Sequence, residues 1–145
     1  MKKELGALCL LAMLLVIFCE GCASRLSLED CGWTMTAVFD KDGQVVACAP
    51  GQKDLYPDAK AMVITFFAEN GKLKIHREGM EDTLTGTYRQ TEINPDGRLY
   101  ELSVQGIGRG FGGCAFTKHA TGENVPTFAV QFPEKYSLYF TGEQP

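Results

Sequence analysis

The stretch MVITFFAENGKLKIH, residues 62–76, decides the fold. Met62, Ile64 and Phe66 alternate with Val63, Thr65 and Phe67, as in a strand covered on both faces. Asn70-Gly71 comes next, a pair that supplies the positive φ angles of a primed hairpin turn. Beyond it, Leu73 and Ile75 alternate with Lys72, Lys74 and His76. Strand, two-residue turn, strand is the repeating unit of an antiparallel sheet, and no helical spacing competes with it.

The same pattern extends in both directions. Trp33, Met35, Ala37 and Phe39 share one parity, with Thr34 and Thr36 between them. Tyr100, Leu102 and Val104 share another, as do Phe128, Val130 and Phe132, and Tyr136, Leu138 and Phe140. Lys41-Asp42-Gly43, Asn94-Pro95-Asp96-Gly97 and Phe132-Pro133-Glu134-Lys135 carry the turn chemistry that separates them. Nine segments read as strands, near 32–39, 44–49, 61–68, 72–77, 84–92, 98–105, 113–118, 127–132 and 135–141. The glycine-rich run 106–113 reads as a pliant connection between two of them. One apolar parity per strand, joined by hairpins, favours closure, which removes exposed sheet edges. The expectation is an all-β chain: a single antiparallel up-and-down β-barrel of eight or nine strands over residues 31–141, with a tail at 142–145.

The composition agrees with one globular domain. The chain has 145 residues, 45% hydrophobic and 22% charged, and a net charge of -4 that lacks the basic footprint of a nucleic-acid binder. Its densest apolar block lies outside the barrel. Lys2 and Lys3 precede an apolar run from Leu5 to Phe18, which is the charged start and hydrophobic region of an export signal. The run is shorter than the roughly 20 residues a membrane-spanning helix needs.

Just after that run, Gly21-Cys22 resembles the lipobox of bacterial lipoproteins, in which a small residue precedes the cysteine that is lipidated. The resemblance implies a signal peptide at 1–21, lipidation of Cys22, a linker at 22–30, and a palmitate-type anchor holding the protein to the cell membrane outside the cytoplasm. Cleavage after Ala23 is the rival reading. The order of Gly32-Trp33, the Asp42-Gly43 hairpin, VITFFAENGKLKI, TGTYRQTE, DGRLYELSV and KYSLYF resembles the small lipocalin-like bacterial lipoproteins over most of residues 31–141. Gly112-Gly113-Cys114 is similar to an element of the META domain, the second choice of family. The lipocalin resemblance implies a binding protein for a small apolar ligand or an envelope component. Trp33, Met35, Phe66, Tyr88, Tyr100, Phe128 and Tyr136 are the candidate lining residues. Of the two roles open to Trp33, a plug that fills the taper of the barrel is favoured over ligand stacking.

Nothing in the chain points to catalysis, and the chain is read as a non-enzyme. No Gly-x-Ser-x-Gly or His-Glu-x-x-His pattern occurs, and His76 and His119 read as surface residues. Glu78, Glu81 and Asp82 lack calcium-loop spacing, and no cysteine set has zinc-ligand spacing, so no metal or cofactor is expected. The glycine run leads into a strand rather than a helix, which argues against a nucleotide site. Three cysteines belong to the barrel, Cys31, Cys48 and Cys114. Outside the cytoplasm at most one pair can oxidise, leaving one thiol; the sequence does not set the connectivity, and Cys48–Cys114 is the favoured pair if one forms, because both lie in strand-like runs. The alternative function is a protein-binding barrel, such as an inhibitor of an envelope-attacking hydrolase or an assembly partner, working through loops 50–60, 106–113 and 119–126. A Cys22→Ser variant is expected to move from the membrane fraction to the soluble extracytoplasmic fraction; unchanged membrane retention would refute the anchor.

Overall fold

A computed structural model describes residues 26–144. The expected signal peptide, Cys22 and residues 22–25 of the expected linker lie outside the described residues. Ten strands are present among them, β1 (Gly32–Asp40), β2 (Val45–Cys48), β3 (Lys60–Ala61), β4 (Ile64–Glu69), β5 (Lys72–Arg77), β6 (Leu84–Asn94), β7 (Gly97–Val104), β8 (Gly108–Lys118), β9 (Asn124–Phe132) and β10 (Tyr136–Glu143). Each pairs antiparallel with the next from β4 to β10, and β1 pairs with both β4 and β10. The sheet therefore closes into an antiparallel eight-stranded barrel, with β2 and β3 as two short extra strands.

β1 changes neighbour along its length. Its first half pairs with β4 through Trp33 and Thr34, and its second half pairs with β2 through Ala37, Val38 and Phe39. β2 then pairs in parallel with β3, whose chain runs on into β4. The extra strands therefore widen the wall at one end only, and barrel diameter grows with strand number. That end also holds the hairpin 40–44 and the turns at 78–83, 105–107 and 133–135. It is the mouth, and the opposite end is the base.

The hairpins form where the turn chemistry placed them. Asn70 and Gly71 both hold positive φ, 50° and 76°, the conformation a primed turn requires. Three expectations are corrected. The register of β1 against β10 shifts between Met35 and Ala37, so one extra residue is inserted there. The bulge turns Val38 toward the interior and sends Phe39 outward, where it meets the ring of Tyr139 at 5.2 Å. The outer face of β4 is not covered, because Phe67 stays 55% exposed.

The glycine run is the third correction: residues 108–113 belong to β8 rather than to a loop. Gly110 and Gly112 share the inward parity of buried Cys114. A Cβ at Gly110 would lie 2.8 Å from the ring of Phe132. At Gly112 it would lie 2.7 Å from the Ala129 carbonyl and 2.8 Å from the ring of Phe128. Real Cβ atoms do not approach so closely, so glycine on β8 is what allows the β9 rings to lie across the interior.

The expected linker also changes character at its end. Leu26 and Leu28 are fully buried, and Leu28–Asp30 forms one 3-10 turn under the base of the barrel. Ser27 caps it, its side-chain oxygen accepting from the Glu29 amide while Asp30 accepts from the Ser27 amide. Leu28→Ala is expected to cost about 2–5 kcal/mol, the range for truncating a buried leucine. Urea denaturation measures this, and a change near zero would return residues 26–30 to a linker role.

Candidate functional site

The interior is divided by a layer of aromatic rings. Phe66 from β4, Phe128 from β9 and Phe140 from β10 meet near the barrel axis, with centroids 5.5, 5.7 and 5.9 Å apart. These distances are those of favourable offset or tilted ring pairs. Trp33 lies against this layer, 5.7 Å from Phe128, and is 1% exposed.

The base side of the layer is solid. The Trp33 indole donates to the Leu28 carbonyl at 2.8 Å. The Leu28 amide donates to the Tyr100 hydroxyl at 3.0 Å, and the Cys114 thiol donates to the Leu26 carbonyl at 3.1 Å. The backbone of the plug has no sheet partners, so these three bonds satisfy groups whose burial would otherwise be costly. Tyr88 donates to the Glu29 carboxylate and packs edge-on against Tyr100 at 5.9 Å. Met35 is fully buried and pairs across to Phe140 of the layer.

The mouth side is hollow. A cavity of about 620 Å³ opens to solvent there, within the roughly 300–1,000 Å³ usual for small-molecule sites. The Phe66–Phe128–Phe140 layer forms its floor. Its walls are aliphatic, with Ile64, Ile75, Leu102, Val104, Val130 and Leu138 all facing in. Of the 21 lining residues only Lys60, Arg77 and Asp82 are charged, so the chamber favours an apolar occupant. Met80, Leu84 and Tyr136 stand half-exposed around it.

Three of the seven residues expected to line a site do so: Phe66, Phe128 and Tyr136. Trp33, Met35, Tyr88 and Tyr100 do not. Trp33, Tyr88 and Tyr100 hold the plug instead, the role the sequence favours for Trp33, and Met35 is fully buried in the core outside the cavity. The aliphatic wall was missed, although its residues carry the same alternation as the rings. No metal-binding group of His, Cys, Asp or Glu occurs among the described residues.

Cys31, Cys48 and Cys114 are all buried, and none is bridged in this structure. Cys114 is engaged with the plug instead, and Cys48 sits on β2 opposite Ala37. Burial pushes the Cys114 thiol up from 9.0 to about 11, against the opposing pull of its hydrogen bond with Tyr100. Burial and then the Glu29 hydrogen bond push Tyr88 from 10.0 up to about 12. Cys31 and Tyr100 shift upward as well, chiefly through burial.

Comparison with protein-family models, with curated proteins and with solved structures found no match.

The four upward shifts have one sign. Each group is neutral when protonated and more easily ionised in the unfolded chain, so its contribution is intact below its unfolded value and is lost as pH rises through its folded one. Stability is expected to be level up to about pH 9 and to fall between pH 9 and 12, the window set by Cys114 and Tyr88. Denaturant midpoints across that range measure it. A flat profile would show that the plug groups are not sequestered.

Proposed function

We propose that the chain is an extracytoplasmic binding protein of lipocalin-like type, anchored to the membrane through Cys22, that takes a small apolar molecule or an apolar part of an envelope component into the cavity above the phenylalanine floor. The observation that carries this reading is the contrast between the two halves of one barrel. The base is filled and hydrogen-bonded, while the mouth half keeps about 620 Å³ of apolar space. Open apolar volume forfeits dispersion contacts, so a fold that needed only stability would fill it. The chamber gains those contacts when an apolar molecule enters.

The anchor and the cavity fit one orientation. Cys22 is four residues before buried Leu26, a reach of at most about 14 Å of extended chain. An acyl group on Cys22 would hold the base near the bilayer and leave the mouth facing away from it. A protein-binding barrel is the weaker reading. It relied on a filled interior and on loops at 50–60, 106–113 and 119–126, of which the second is mostly strand.

A Leu138→Trp variant fills the chamber from β10 without touching the plug. It is expected to weaken binding of a neutral apolar probe such as N-phenyl-1-naphthylamine by at least about tenfold while leaving the unfolding free energy from urea denaturation within about 1 kcal/mol of the parent. Probe binding that is absent in the parent, or unchanged in the variant, would reject the cavity as the site.

A further inference from the structure

The cavity has an annex. A second, shallower cleft of about 370 Å³ lies beside the mouth, bordered by Pro50, Val63, Glu78 and Gly79. Cleft and cavity share four residues: Lys60, Met62, Arg77 and Met80. The two spaces therefore meet across a threshold made of two flexible thioethers and two cations.

We propose that the occupant is a single-chain amphiphile with an anionic head, its chain in the cavity and its carboxylate or phosphate at Lys60 and Arg77. This rests on the cavity being the binding site. Lys60 comes from β3 and Arg77 from the end of β5, so two separate elements bring positive charge to the shared threshold. Neither enters an ion pair; the ion pairs among the described residues join Arg89 and Arg109 to Glu101 on the outer wall. The carboxylates are split, Asp82 bordering only the cavity and Glu78 only the cleft, so the junction itself is cationic. An arginine fork and a mobile ammonium suit an oxyanion that arrives with its chain already inserted. Met62 and Met80 suit the neck of such a molecule, because unbranched thioethers adapt to irregular shapes. The chain end would then reach toward the Phe66–Phe128–Phe140 floor.

The test uses the exported full chain carrying Cys22→Ser, so that no detergent competes for the cavity. Dodecanoate, dodecyl phosphate, dodecanol and dodecyltrimethylammonium are titrated against bound N-phenyl-1-naphthylamine at low and high salt. The two anions are expected to bind about three- to tenfold more tightly than dodecanol, the range for partly exposed charge-assisted contacts, and the cation more weakly. The preference shrinks at high salt, and in the Lys60→Gln/Arg77→Gln variant the ratio of dodecanoate to dodecanol approaches one. The tighter of the two anions identifies the head as carboxylate or phosphate. Equal binding of dodecanol and both anions, or tighter binding of the cation, overturns the head assignment and leaves the cavity reading in place. No displacement by any of the four overturns both.

Discussion

The contact among Phe66, Phe128 and Phe140 is the constraint on which the rest of the structure depends. Three rings from three strands meet within 5.9 Å of one another and seal the barrel across its axis. The layer can form only because the neighbouring strand presents hydrogen where other residues carry a side chain. Gly112 has no room for a Cβ beside the Phe128 ring, and Gly110 none beside Phe132. Any substituent there would push the β9 rings away from the wall and shift the floor that separates plug from chamber.

Below the floor, three polar side chains fasten the plug. Trp33, Tyr100 and Cys114 each engage a backbone group of residues 26–28. This is how a segment without sheet pairing becomes part of the core. The same enclosure pushes the pKa values of Cys114 and Tyr88 upward and so disfavours their ionised forms. Above the floor the logic reverses. The wall gains two short strands, the side chains become aliphatic, and charge is confined to the rim.

Much of this was legible in the amino-acid order. Period-two alternation and the Asn70-Gly71 and Asp42-Gly43 turns led to the all-β class, the antiparallel pairing and the closed barrel. Alternation reports whether a side chain faces in or out, not how far along the axis it sits. Trp33, Tyr100, Phe66 and Phe128 carry the same inward signal, yet the first two fasten the plug and the last two form the floor. The bulge that reverses Val38 and Phe39 leaves no mark in the local sequence, since it arises from pairing with β10. Residues 108–113 looked like a loop because glycine is usually a mark of freedom, whereas here it marks close approach. Leu28 lacked any strand pattern because its burial is purely tertiary.

The most direct test of the account is a methyl NMR titration of the Cys22→Ser chain with dodecanol, a neutral ligand indifferent to the rim charges. The account predicts saturable shifts at Ile64, Ile75, Leu102, Val104, Val130 and Leu138, and little change at Leu26, Leu28 and Leu73 beneath the floor. Shifts centred on the plug leucines, or on the outer wall around Leu99, would contradict it, as would the absence of any saturable response.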